Sequence, residues 1–249
     1  MLSDSQIERY SRQIILPQVG GKGQEVLLRS KVLVNGDGLL QDAALLYLAA
    51  AGVGTVGLLG NCHSSLFAAL SPARHPPAAV ALTDLNPDCH VIGHREVGTS
   101  SHEQVVRHYD LVLSAPDEAL HAACYALRRP FLCAAVTHTG GWFFAALGYQ
   151  ADSPCLQCVT ARDAAGREGP LARALPPHPP VLSPASPEWP PLAMFLGALQ
   201  ATEAIKLLLG IDPPPGKKVW QCHFSPLHFS ERVVEKTPQC PLCGSPSPS

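Results

Sequence analysis

Two short cysteine pairs, Cys155-x-x-Cys158 and Cys240-x-x-Cys243, are the residues best equipped for chemistry in this chain. A two-residue spacer lets both sulfurs of a pair face one ion, and two such pairs complete a tetrahedral thiolate cage for Zn2+. With four protein ligands no position is left for water, so the ion would be structural. It would clip the end of the chain onto whatever carries the first pair. Disulfides or idle buried thiols are the competing uses of four such cysteines. A redox role is disfavoured, because neither pair is placed to open a helix after a strand. The other cysteines, Cys62, Cys89, Cys124, Cys133 and Cys222, are scattered. That is unlike a secreted disulfide framework and points to a reducing, cytoplasmic compartment.

The second constellation is the turn Gly36-Asp37-Gly38. Residues 31–35 form a short apolar, β-branched run, as a buried parallel strand should. Residues 39–51 are rich in alanine and leucine, Gly52 sits where a helix-ending glycine belongs, and residues 53–59 are apolar again. This is one βαβ unit, and phosphates bind at the amino end of such a helix, where N–H groups and the helix dipole face the anion. The dinucleotide pattern G-x-G-x-x-G is incomplete: Gln41 replaces its third glycine, and Gly60 stands where an acid would hold ribose. Eleven histidines are scattered. His90 and His94 fall in a strand-like run rather than on one helix face, so they are no catalytic zinc pair. His121 lies one turn after Asp117 and could share a cleft with it.

These groups need a scaffold. Ser5 and Glu8 fit a capping box opening a short helix through Arg12, and residues 24–29 can form another. Helical composition recurs at 78–85, 101–107, 117–127 and 192–209. Apolar runs at 90–96, 111–114 and 131–136 read as strands, with 142–147 turning back antiparallel. Residues 217–223 and 229–234 read as a closing hairpin. Residues 61–77 and the proline-rich 166–191 are irregular, and the tail 245–249 is expected to be disordered. The expected fold is α/β, a mostly parallel mixed sheet with helices on both faces and a zinc-clipped hairpin, forming a single domain over 1–244.

Composition agrees. A chain of 249 residues can bury a sizeable core, and its net charge of −2 gives no broad footprint for nucleic acid. The polar, charged amino end is no secretory signal. Residues 43–60 carry no charge, but the glycines at 52, 54 and 57 break the run, so it reads as helix, turn and strand rather than a membrane span.

The segments RYSRQIILPQVGGKGQEVL, KVLVNGDG, YLAAAGVGTVGLLG, YDLVLSAPD and GALQATEAIKLLLG precede the second cysteine pair in a fixed order. Together they resemble the ThiF/MoeB/HesA family, bacterial relatives of ubiquitin-activating enzymes. The resemblance implies a Rossmann-like domain, usually dimeric. It implies use of ATP and Mg2+ to adenylate the C-terminal glycine of a small ubiquitin-like sulfur-carrier protein, with structural zinc. Gly36 and Gly38 match ATP-loop glycines, and Asp117 matches the aspartate that holds magnesium. Asp117 is equally suited to cap the helix that follows it. Arg12 matches an arginine reaching into the partner subunit's ATP site. Counting back from Asn86-Pro87 places Arg74 near the family's lysine. The four paired cysteines match the zinc ligands.

The chain departs from the family elsewhere. It lacks the N-L-x-R-Q segment, carries Glu118 where asparagine is usual, and has Ser183 in place of the sulfur-handling cysteine. Serine cannot supply a persulfide or thioester. Two readings follow: an ATP-dependent adenylyltransferase, or a degenerate relative that binds a carrier or partner as the inactive half of a heterodimer.

Overall fold

Val32, Leu33 and Val34 are fully buried, with Val32 and Val34 facing one apolar core and Leu33 the other. A strand packed on both faces is what a parallel sheet needs at its centre. The computed structural model describes residues 1–60, 78–94, 102–137, 140–147, 150, 152–160, 189–212, 216–224 and 226–244. Arg74, Cys62, Ser183 and the tail 245–249 lie outside them.

The central strand is β1 (Lys31–Asn35). Gly38 precedes α4 (Leu39–Ala51) and Gly52 ends it, with φ of 100° and 86°. Both values suit glycine, which is why the sequence punctuates the helix so clearly. The chain returns as β2 (Thr55–Leu59), parallel to β1. It continues through α5 (Ala78–Leu85), β3 (His90–His94), α6 (His102–Val106), β4 (Leu111–Ser114) and α7 (Glu118–Ala126). Then come β5 (Phe131–Val136), β6 (Gly140–Ala146), α8 (Leu156–Thr160), α9 (Pro190–Leu209), β7 (Lys218–Phe224) and β8 (Leu227–Val233). The eight strands form one sheet, ordered β3-β2-β1-β4-β5-β6-β7-β8. The first five pair parallel, and β5 through β8 pair antiparallel, giving the expected mixed sheet.

Both faces are covered. On one, Leu45 and Leu48 of α4 and Leu192, Leu196 and Ala204 of α9 pack on Val32, Val34, Leu113 and Leu132. Gly197 allows the two helices to touch: a Cβ there would meet the Leu40 carbonyl and stand 2.9 Å from the Ala43 methyl. On the other face, Val106, Leu120, Ala123 and Leu156 cover Leu33, Val112, Phe131 and Phe144. α9 is long and apolar enough to cross a membrane by length and composition alone. Here Leu192, Leu196, Ala201 and Ala204 are buried in the core, and Gln200, Glu203 and Lys206 interrupt the helix.

The amino end differs from expectation. α1 (Asp4–Arg9) starts from a capping box between Ser3 and Gln6, not Ser5 and Glu8. Gln6 N–H donates to Ser3 Oγ at 3.3 Å, and Ser3 N–H donates to Gln6 Oε1 at 3.0 Å. A separate turn, α2 (Ser11–Ile14), carries Arg12. α3 (Gly20–Arg29) begins four residues before Gln24, and of its three glycines Gly23 meets a neighbouring element. A Cβ on Gly23 would press to 3.2 Å from Leu209 of α9. Buried Tyr10 donates through its hydroxyl to Asp88 at 3.0 Å and accepts from Asn86 Nδ2 at 2.9 Å. This anchors the amino end to the turn before β3.

Candidate nucleotide crevice and cysteine cluster

Strand order reverses direction of growth between β1 and β4, and ligands of open α/β sheets bind outside the strand ends at such a point. Two loops meet there. One is Gly36-Asp37-Gly38 after β1; the other is Ala115-Pro116-Asp117 after β4. Asn35 stands opposite Ser114 in the parallel register, and the Ala115 N–H donates to the Asn35 carbonyl at 3.3 Å. The Asn35 amide crosses the gap, donating to Ser114 Oγ at 3.0 Å and to Asp117 Oδ2 at 3.4 Å. Asp117 Oδ1 accepts the Leu120 N–H at 2.8 Å, so the carboxylate caps α7 as anticipated. Two hydrogen bonds leave a carboxylate with unused lone pairs, enough to ligate a cation.

Among the described residues no side chain caps α4. Its first turn therefore offers backbone donors and the positive dipole end to an anion. Gly36, at φ 115°, lies under the Gln41 side chain: a Cβ there would be 3.2 Å from the Gln41 amide. Behind the crevice, buried Gln200 of α9 donates to the carbonyls of Ser114 and Leu132 at 3.1 and 2.8 Å, bracing the ends of β4 and β5. Gly36, Gly38 and Asp117 are thus brought together. Arg12 is exposed on α2 and forms no ion pair or side-chain hydrogen bond with a described residue. Arg74 lies outside the described residues, so its place relative to the crevice is not part of this geometry.

The four paired cysteines converge, although 85 positions separate Cys155 from Cys240. Sulfur separations are 3.8 Å for Cys155–Cys158, 3.4 Å for Cys155–Cys240 and 3.3 Å for Cys158–Cys243. All four lie within 4.8 Å of one another and are buried. They are thiols, not disulfides. Sulfurs about 2.3 Å from a tetrahedral zinc would stand roughly 3.8 Å apart, so the cluster could close on a metal ion with small adjustments. The Cys155 thiol, followed by the Thr237 N–H, draws Cys158 down to about 4, while donating that bond pushes Cys155 up. The first pair sits at the start of a helix, the five-residue α8. That helix follows an irregular stretch and not directly a strand, in keeping with the expected absence of a strand-to-helix redox arrangement. From α8, Gln157 and Thr160 donate to the Glu118 carboxylate at 3.4 and 3.3 Å, so the cluster's helix touches the residue after Asp117.

His121 does not share the crevice. It is buried against Phe131, ring centroids 5.0 Å apart, and burial lowers its pKa to about 4. His94 binds the Tyr109 hydroxyl at 2.6 Å, and no histidine joins a metal-competent group among the described residues. Asn35 and Gln200, which organise the crevice, lie within the segments KVLVNGDG and GALQATEAIKLLLG, but residue type and spacing gave neither a role. Only the strand register makes their positions meaningful.

Residues 72–242 match the ThiF family profile. The chain is 32% identical to the sulfur carrier protein adenylyltransferase of Thermus thermophilus, over 96% of this chain and 91% of that protein. It is 31% identical to the molybdopterin-synthase adenylyltransferase of Escherichia coli, over 98% of each. A third relative is the adenylyltransferase and sulfurtransferase MOCS3 of Drosophila ananassae, 31% identical over 98% of this chain. The chain spans only 55% of that longer protein. Among solved structures, E. coli MccB superposes with a TM-score of 0.73 at 18% identity, covering 97% of this chain and 73% of that one.

Proposed function

The chain belongs to the ThiF family, and on that basis we propose that it is an ATP-dependent adenylyltransferase acting on the C-terminal glycine of a small ubiquitin-like sulfur-carrier protein. The observation that carries this reading is the joining of two loops at the switch point, Gly36 to Gly38 and Asp117, beneath an uncapped helix. The relatives do not favour the binding-module alternative.

In this reading the carrier carboxylate attacks the α-phosphorus of ATP. A new oxygen–phosphorus bond forms, the bond to the β-phosphate bridge breaks, and pyrophosphate leaves with the electron pair. The start of α4 and the two loop glycines cradle phosphate. Asp117 would hold Mg2+, which supplies positive charge against the phosphates. Asn35 sets the carboxylate's orientation. Arg12, exposed and without an ion pair among the described residues, is offered to the ATP site of a partner subunit in a dimer, and Arg74 adds positive charge in its own subunit. The ion held by Cys155, Cys158, Cys240 and Cys243 is zinc, in a structural role. The domain spans 1–244.

The carrier's platform in this reading is the antiparallel part of the sheet. Trp220, Leu227, Phe229 and Val233 share the face of β7 and β8 on which α9 packs, and all are exposed. Phe195 of α9 extends the strip, its ring 5.9 Å from that of Phe229. Contiguous exposed apolar surface of this kind suits a protein partner. Free buried Cys89, Cys124, Cys133 and Cys222 fit a reducing, cytoplasmic compartment. The test is pyrophosphate release from MgATP in the presence of a sulfur carrier ending in Gly-Gly. Release that requires the intact carrier terminus supports the reading; none with the intact carrier contradicts it.

A further inference from the structure

We propose that Gln41 is a nucleotide ligand, its side-chain amide donating to a phosphate oxygen at the start of α4. This rests on the reading of the crevice as an ATP site and extends it to a residue at which the glycine pattern has no side chain.

Three observations converge on Gln41. It lies in the first turn of α4, the turn left without a side-chain cap. It is 3% exposed, and its Nε2 is buried with no hydrogen-bond partner among the described residues. Its amide folds back over Gly36, 3.2 Å from where a Cβ on that glycine would stand, and the same point is 3.4 Å from Ala115 of the opposing loop. The amide is therefore wedged between the two loops that frame the crevice.

A buried donor without an acceptor is uncommon in native proteins and calls for an explanation. Hydrocarbon of the same shape would fill the space without that cost. Ionised phosphate oxygens accept hydrogen bonds and cannot donate, so they fit a free N–H2 group. Gln41 also has three side-chain torsions. Turning its amide toward a phosphate sacrifices no hydrogen bond from Nε2 to a described residue. The donor is neutral, so it adds orientation where Asp37, between the two glycines, contributes negative charge. Glycine at this position would supply no such donor.

The experiment compares ATP and adenosine binding by calorimetry to the full chain carrying Gln41→Met, Gln41→Glu or Gln41→Gly, with thermal unfolding of each. Gln41→Met should bind ATP about tenfold more weakly, consistent with loss of one bond to a charged group. Gln41→Glu should lose more, because its carboxylate repels phosphate. Adenosine affinity should stay unchanged, and Gln41→Met should melt no lower than the wild type, since it removes an unpartnered amide. Unchanged ATP affinity in Gln41→Met, or tighter ATP binding in Gln41→Gly, would overturn the inference alone and show a side chain that merely plugs the cradle. A wild-type chain that binds no ATP would overturn both the inference and the adenylyltransferase reading.

Discussion

Asn35 Nδ2 stands 3.4 Å from Asp117 Oδ2, joining the last residue of one strand to the cap of a helix that follows its neighbour. A single carboxylate thereby serves the fold and faces the crevice. The two duties separate by substitution. Asp117→Ala loses the cap and should cost about 1 kcal/mol of stability together with adenylation. Asp117→Ser keeps a capping oxygen, so it should melt close to the wild type yet still fail to adenylate. Thermal unfolding measured beside pyrophosphate release checks both.

The cysteine cluster should contain one zinc per chain by atomic emission. Cys243→Ser leaves three thiolates and should lower zinc content and the melting temperature together. Chelation of the wild type should do the same, at a cost of roughly several kcal/mol. Because the ligands must be thiolates, zinc should be released progressively as pH falls, and retained as pH rises toward neutrality. A chain that melts identically with and without chelator would contradict a structural role.

Gly197→Ala places a methyl against the Leu40 carbonyl and the Ala43 side chain. Neither backbone can yield without separating α4 from α9, so a loss of about 1–3 kcal/mol is expected in urea unfolding. ATP affinity should fall as well, since α4 carries the phosphate site at its amino end.

Tyr10 is 1% exposed, and burial pushes its hydroxyl up to about 12 from an ordinary value of 10.0. The unfolded chain ionises this group first. Stability is thus fully present below pH 10 and is lost as pH rises from 10 toward 12, by up to about 3 kcal/mol. Cys89, raised to about 11 by burial, adds a similar loss starting near pH 9. Tyr10→Phe should flatten the upper part of this decline while lowering stability at neutral pH, because Asn86 and Asp88 lose their partner. Unfolding free energies measured across pH 8–12 test this.

Local chemistry explains what could be read from the chain. α4 was legible from end to end because both of its bounding glycines sit at positive φ, a requirement that lies within the helix itself. The cysteine ligands were legible because two-residue spacing is dictated by the ion, not by the fold. Asn35 was not, since its partner Asp117 is 82 positions away and only the β1–β4 pairing brings them together. His121 was misplaced because an imidazole one turn from a crevice residue can equally rotate into the core, where Phe131 receives it. The start of α3 was hidden by its glycines, which carry little helical propensity; for Gly23 the reason is tertiary, a close approach to Leu209.

The most direct test of the central claim is exchange of labelled pyrophosphate into ATP by the purified chain, with and without a sulfur carrier ending in Gly-Gly. Exchange that depends on the carrier's terminal glycine and vanishes in Asp117→Ser is the predicted result. Carrier binding with no exchange above background would contradict it and leave a fold that has kept the crevice without its chemistry.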